Sequence, residues 1–270
     1  MKKILFIFSF IILATFQTLA QKPISSAGSA RTMTNDHIIF ALFEPTRFPL
    51  FSDIELDLHP YLFPVLPQVA VKKIWFHDSK LFTFSTYHAI TFPRILFPID
   101  SMKIFGARFS SPTKYAIQNE ILVSRIMKKA TSCTPPNLLL TLKLGFEAGG
   151  NPLPMIDFPL VLDSSKVYRS SFVYYIGADL NGFIDEKFNF YADINVLSNS
   201  LPYKNLGVEQ KTMLVYPVKN FIFAAGYKLM YEKNATGKKL LVLPLFDVYY
   251  KLVRTVKDDH RLFDRKMEKQ

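Results

Sequence analysis

The segment Ser85-Thr86-Tyr87-His88 brings a hydroxyl and an imidazole close together in the sequence. A serine activated by histidine can act as a nucleophile in hydrolysis, and a carboxylate such as Glu120 on the adjacent predicted strand could orient the imidazole. Successive side chains of a strand point to opposite faces, so Thr86 and His88 share a face while Ser85 points away. Only a β-bulge would turn Ser85 toward His88. Ser85, His88 and Glu120 are therefore candidates for a catalytic site that the strand geometry opposes.

Acidic residues and lysines alternate with apolar residues along much of the chain. Paired carboxylates could hydrolyse a peptide or a lipid, but the same set is typical of an ion-pair network that fills a narrow barrel lumen. We favour the network, because buried charges need partners. The residues in question are Asp53, Glu55, Asp57, Glu120, Glu147, Asp179, Asp193, Glu209 and Asp247, with Lys143, Lys211, Lys228 and Lys251.

The sequence indicates neither a metal site nor a cofactor site. The five histidines are scattered without metal-ligand spacing. No glycine-rich phosphate loop, Walker sequence or G-x-S-x-G elbow occurs. The single cysteine, Cys133, lies in a predicted turn, and the sequence leaves open whether its thiol is reactive.

The beginning of the chain has the order of a secretory signal peptide. Met1-Lys2-Lys3 is followed by an apolar stretch from Ile4 to Phe16 and by small residues ending at Ala20. The apolar stretch is shorter than the roughly 20 residues that a membrane-spanning helix needs. We therefore predict cleavage near Ala20, with residues 1–20 as signal peptide and residues 21–50 as a flexible leader and entry to the folded domain.

Alternation with a period of two predicts strands with one apolar and one polar face. In the clearest case, Leu142, Leu144 and Phe146 point one way, while Lys143 and Glu147 point the other. Similar patterns occur over 172–181, 188–196, 205–214, 221–229 and 245–252, and weaker ones over 54–58, 69–76, 81–90 and 115–127. We predict an all-β fold, a closed antiparallel transmembrane barrel of about ten strands over 51–252, because such barrels keep an even strand count.

Loop lengths predict how the barrel is oriented. If the charged tail 253–270 is periplasmic, the periplasmic connections are 77–80, 128–136, 184–187 and 217–220, which are comparatively short. The two longest gaps, 92–113 and 149–170, then lie outside, as outer-membrane barrels show. Aromatic residues also cluster near the predicted periplasmic ends, where a girdle belongs: Phe188, Phe190, Tyr216, Phe221, Phe223 and Tyr250.

With its signal peptide and two-faced strands, the chain resembles the outer-membrane β-barrels of Gram-negative bacteria as a class. The run Phe246-x-Val248-x-Tyr250-x-Leu252 looks like the terminal strand that the barrel-assembly machinery reads in that class. Members commonly end on an aromatic residue at this strand, whereas this chain continues to Gln270. The resemblance is architectural and carries over no active site.

Composition and charge indicate which classes of partner the chain is suited to bind. Hydrophobic residues make up 49% of the chain and 26 residues are phenylalanine, as a barrel with a lipid-facing surface requires. The formal charge of +11 favours an anionic neighbour. For an exported protein, we expect outer-membrane lipid and lipopolysaccharide rather than nucleic acid. The leading hypothesis is a structural or surface-interaction barrel. The alternative is an outer-membrane hydrolase that acts on lipid A, phospholipid or peptide at the outer rim.

Overall fold

The elements observed in the chain are β-strands. A computed structural model describes residues 28–33, 37–60, 63, 67–77, 82–92, 103–104, 107–108, 115–128, 138–150, 171–184, 188–199, 206–234 and 237–253. The strands are β1 His37–Ala41, β2 Thr46–Pro49, β3 Ile54–Leu58, β4 Gln68–His77, β5 Thr83–Thr91, β6 Lys103–Ile104, β7 Ala107–Arg108, β8 Tyr115–Lys128, β9 Leu138–Gly150, β10 Phe172–Phe183, β11 Asn189–Ser198, β12 Leu206–Val218, β13 Phe221–Asn234 and β14 Gly237–Val253. In these ranges, no helix is long and apolar enough to cross a membrane.

Twelve of the strands form a closed antiparallel barrel in the order β1-β14-β13-β12-β11-β10-β9-β8-β5-β4-β3-β2. The all-β closed barrel predicted from the sequence is confirmed. The expected count of about ten was low by two, because β1 and β2 lie before residue 51, within the stretch predicted as leader and entry. Neither strand alternates clearly, because β1, His-Ile-Ile-Phe-Ala, is a nearly continuous apolar run and β2, Thr-Arg-Phe-Pro, has only four residues. Strands β6 and β7 pair only with each other.

The predicted faces of the long strands are confirmed. On β9, Thr141, Lys143 and Glu147 are buried in the lumen, whereas Leu142 and Leu144 are 56% and 57% exposed on the outer face. The same partition holds on β10, where Asp179 is buried and Ile176 is 61% exposed. A strand keeps its charged side chains on one face and its apolar side chains on the other only if its pairing register is fixed. The continuous pairing of β8 to β14 fixes that register.

The barrel has two different ends. At the short-turn end, β12 and β13 are joined by residues 219–220, and β4–β5, β8–β9 and β10–β11 are also connected there. At the long-loop end lie the connections 92–114, which contains β6 and β7, and 151–171. Aromatic rings pack together near the short-turn end, where a girdle was predicted: Phe188 with Tyr216, at 4.9 Å between centroids, and Phe221 with Tyr250, at 5.1 Å.

The barrel closes through a short seam. Strand β1 pairs with β14 only from His37, opposite Val253, to Ala41, opposite Tyr249. The β2 pairings are equally short, with a single register pair to β1 and four to β3. The wall is therefore tall from β8 to β14 and low from β1 to β3.

Several predicted features lie outside the described residues. They are the signal peptide with its cleavage near Ala20, the leader up to residue 27, Cys133, and the tail beyond Val253. The two longest predicted outer loops are described only in part.

Candidate functional site

The structure places the two candidate catalytic residues of β5 on opposite faces of the barrel wall. Ser85 is fully buried on the lumen side, and its hydroxyl has no hydrogen-bond partner among the described residues. His88 is exposed on the outer face, where its Nδ1 lies 2.7 Å from Oδ1 of Asn119. A bulge does occur opposite Ser85, but its extra residue, Trp75, lies on β4, and β5 itself pairs regularly with β8. This strand therefore does not assemble a serine–histidine pair.

Glu120 lies on the lumen face of β8, beside Tyr87 of β5 in the register. Its carboxylate accepts hydrogen bonds from the Tyr175 hydroxyl and from Nε2 of Gln118, the latter at 2.7 Å. Glu120 thus shares a face with Ser85 but not with His88. Its observed partners are a phenol and an amide, which hold a carboxylate in place.

Acid–lysine pairs in the lumen join neighbouring strands. Lys72 Nζ lies 2.9 Å from Glu55 Oε1 across β3 and β4, and Lys143 Nζ lies 2.8 Å from Asp179 Oδ1 across β9 and β10. Lys228 and Glu209 form a third pair, at 3.3 Å, across β12 and β13. All six side chains are buried or nearly so. These contacts are what the ion-pair interpretation of the sequence expects, since removing charges from water requires such partners.

The β1–β2 turn extends this network to the low wall. Glu44 in the turn accepts contacts from Arg47 at 3.0 Å and from Lys211 at 2.9 Å. Glu44 therefore ties the turn to β12, which is three strands from β1 in the barrel order.

Asp247 marks the point where β1 leaves β14. Its carboxylate accepts backbone N–H groups from Leu42 at 3.0 Å, Phe43 at 3.1 Å, Glu44 at 2.8 Å and Val248 at 2.7 Å. Side-chain acceptors can replace a strand partner for backbone donors that have none. The sequence reasoning placed Asp247 in the lumen but missed this role, because Asp247 and Phe43 are 204 residues apart in the chain.

Residues Gly28–Met33 cross the lumen. The N–H of Ala30 donates to Ser124 Oγ at 2.8 Å, and the N–H of Met33 donates to Glu55 Oε2 at 2.7 Å. Gly28 has a φ of 59°, and a Cβ at this position would lie 2.4 Å from an Asp179 oxygen. Part of the segment predicted as leader thus lies across the barrel. The sequence signal for it is the run of small residues Gly28-Ser29-Ala30, whose side chains fit where larger ones would collide.

The described residues contain no group of three or more histidine, cysteine, aspartate or glutamate side chains that could hold a metal ion. Comparison of the sequence with protein-family models and with curated proteins found no match. Fold and site together define a closed antiparallel barrel with an ion-paired interior and an apolar exterior.

Proposed function

We propose that this chain is an outer-membrane β-barrel protein with a structural or surface-interaction role, held in the membrane by its apolar exterior and in contact with lipopolysaccharide at its long-loop end. The observation that carries the proposal is the partition of side chains across the wall. Large hydrophobic residues are exposed on the outer face of successive strands, while the ionisable groups of those strands are paired inside.

A soluble barrel would place its polar face outside, toward water. Here the outer faces of β9 to β14 carry exposed leucine, isoleucine, phenylalanine and valine side chains. An apolar surface that encircles several strands is far larger than the patches that soluble monomers tolerate. In hydrocarbon, by contrast, a closed barrel satisfies its backbone hydrogen bonds internally and needs such a surface.

The filled lumen favours a role without transport or turnover. Ion pairs and the crossing segment Gly28–Met33 occupy the interior, as expected for a small barrel. The alternative role, a hydrolase at the outer rim, would need Ser85, His88 and a carboxylate to converge. The described geometry separates Ser85 from His88 by the thickness of the wall, so it supports the alternative less well.

The proposed lipopolysaccharide contact rests on charge. Basic residues are frequent in and beside the connections of the long-loop end, where lipid phosphates would lie: Lys103, Arg108, Lys114, Lys166, Arg169, Lys204, Lys233, Lys238 and Lys239. Ionised donors bind phosphate oxygens through short, strong hydrogen bonds. During insertion the chain would also meet the barrel-assembly machinery, for which β14 offers the alternating run Phe246–Leu252.

Fractionation of cells that express the full-length chain tests the proposed location. We expect the protein in the outer-membrane fraction, extracted only by detergent, with its amino terminus near Gln21. A matched variant with Lys2, Lys3 and the apolar stretch 4–16 deleted should stay in the cytoplasm. Recovery of the intact chain in the soluble periplasmic fraction without detergent would contradict the proposal.

A further inference from the structure

Half of β14 has a strand on one side only. Strand β13 pairs with β14 along its length, from Gly237 to Tyr250, but β1 reaches only to Tyr249. The last backbone contact on that side is the N–H of Leu42 to the carbonyl of Val248, at 3.2 Å. Within the described ranges, no strand pairs with residues 240–246 on the β1 side. We call residues 240–246 the open edge of β14.

Pro244 lies in the middle of the open edge, with its backbone nitrogen turned toward the unpaired side. Backbone groups of alternate residues in a strand point to the same side. Because the Val248 carbonyl points toward β1, the backbone groups of Phe246, Pro244 and Val242 point that way too. A proline lacks the N–H that a neighbouring strand would use, so it is confined to edges of sheets. Pro244 is therefore compatible with an unpaired edge, and it hinders the addition of another strand there.

The open edge is apolar on both faces, unlike the other long strands. Leu240, Val242 and Phe246 are 63%, 56% and 56% exposed on the outer face. The lumen face of the open edge carries three partly buried leucines, Leu241, Leu243 and Leu245. The lumen faces of β9, β10 and β12 instead carry lysine or carboxylate side chains. Opposite them on β13 are Met230, Lys228 and Gly226, and Lys228 is paired with Glu209 of β12. The leucines of β14 therefore continue the apolar outer surface around this edge, as far as the Lys228–Glu209 pair.

We propose that the open edge is a lateral binding site for an acyl chain of lipopolysaccharide, which enters from the membrane and lies along the lumen-facing leucines. This inference rests on the proposed function, because it requires the outer face to be embedded in lipid. Pro244 argues against a strand from a second copy as the occupant. Continuity with the lipid-facing surface argues for a hydrocarbon chain.

Charge at the long-loop end of the same strands points to a phosphate-bearing lipid. Lys233, near the end of β13, is exposed, and Lys238 and Lys239 are the second and third residues of β14. In the register, Lys233 lies opposite Lys238. An acyl chain at Leu241 and Leu243 would place its headgroup near the exposed Lys233. A phosphate of lipopolysaccharide supplies the charge that this lysine attracts.

Site-specific photocross-linking tests the proposal. The photoreactive residue p-benzoylphenylalanine replaces Leu243, Leu144 or Gln118, one at a time, in the full-length protein. Each variant is inserted in phosphatidylcholine nanodiscs that contain lipopolysaccharide labelled in its acyl chains. Leu144 is on the outer face, whereas Gln118 faces the lumen from β8, on the wall opposite β14. We expect labelled adducts at Leu243 and Leu144 and none at Gln118.

The pattern of adducts separates failure of this inference from failure of the proposed function. Labelling at Leu144 but not at Leu243 would overturn the lateral site and leave the membrane location standing. No labelling at Leu144 would contradict the membrane location itself. An adduct from Leu243 to a second copy, or to another part of the same chain, would show that protein covers the edge and would overturn the proposal.

Two further arms identify the lipid. In nanodiscs with labelled phosphatidylglycerol in place of lipopolysaccharide, we expect a weaker adduct at Leu243, and a stronger one would overturn the assignment to lipopolysaccharide. The substitution Lys233→Gln should reduce labelling by lipopolysaccharide at Leu243 while labelling at Leu144 is unchanged. Equal labelling at Leu243 with and without Lys233 would contradict the headgroup contact.

Discussion

The tall wall from β8 to β14 and the low wall from β1 to β3 satisfy their backbone hydrogen-bonding groups in different ways. In the tall wall, strands of 10 to 17 residues pair with both neighbours over most of their length, except β14, whose first half pairs with β13 alone. In the low wall, strands of four or five residues pair briefly, and side chains complete what the ladders leave out. Asp247 binds the amides at the seam, and Glu44 and Glu55 tie the low wall to its surroundings.

This difference predicts that the two walls tolerate substitutions differently. The tall wall depends on repeated, interchangeable contacts, so that many substitutions there should be tolerated if they keep the face polarity. The tall wall also contains buried ion pairs, Lys143–Asp179 and Lys228–Glu209, but the low wall has few backbone ladder contacts beside its charged groups. The open edge of β14 exists because the low wall ends early. Closure through a short seam thus leaves residues 240–246 of β14 without a paired strand on the β1 side.

The largest effect is expected in the low wall, from Lys72→Met. This substitution leaves Glu55 buried without its cation, and breaking a buried pair costs about 3–5 kcal/mol. The free energy of unfolding, measured with urea in lipid vesicles, should fall by that amount. The double variant Glu55→Leu with Lys72→Met should recover part of the loss. If Lys72→Met were neutral, the low wall would not depend on its charged groups.

In the tall wall, Leu142→Arg should lower the same free energy by about 2–4 kcal/mol, because in the proposed membrane location it places a cation in hydrocarbon near mid-depth. The neighbouring substitution Lys143→Arg keeps a charge in the lumen and should be much milder. The two variants are compared in one vesicle composition. A folded, unperturbed Leu142→Arg protein beside a destabilised Lys143→Arg protein would reverse the assignment of inside and outside.

Proline substitutions should distinguish the paired wall from the open edge. Ala178→Pro in β10 removes a donor from a strand that is paired on both sides, and should cost about 1–3 kcal/mol for the partner left unsatisfied. Pro244→Ala restores a donor that has no strand to bind and should change stability little. Thermal unfolding in detergent compares the two. A large gain from Pro244→Ala would indicate that a strand covers the edge.

The smallest effect is expected from the candidate catalytic residues. Ser85→Ala removes a buried hydroxyl without a described partner, and His88→Ala changes an exposed outer-face residue. His88→Ala should change the free energy of unfolding by no more than about 0.5 kcal/mol, as is usual for exposed residues. Ser85→Ala should be neutral or slightly stabilising, because it removes a buried polar group that has no described partner. Each variant is also assayed against lipid A, phospholipid and peptide. A hydrolytic activity that both variants lose while still folded would refute the non-enzymatic role.

Sequence reasoning located the tall wall because its long strands repeat one signal. Lys143 and Leu142 are assigned to opposite faces by the period of two alone. The low wall could not be found in that way. His37–Ala41 has apolar residues on both faces, because its lumen side packs against Met33 and its outer side against Phe48. It therefore lacks the alternation that identified the longer strands. The roles of Asp247 and Gly28–Met33 depend on partners far apart in the chain, which no local pattern contains.

Residue-specific amide hydrogen exchange, followed by NMR in detergent micelles, tests the central claim most directly: the barrel closes through a short seam and leaves an open edge on β14. In this account, the amides of Val242 and Phe246 exchange quickly, while those of Leu241, Leu243 and Leu245, which point to β13, are protected. Consecutive amides of β10 from Tyr175 to Leu180 should all be protected. Equal protection of Val242, Leu243 and Phe246 would contradict the account.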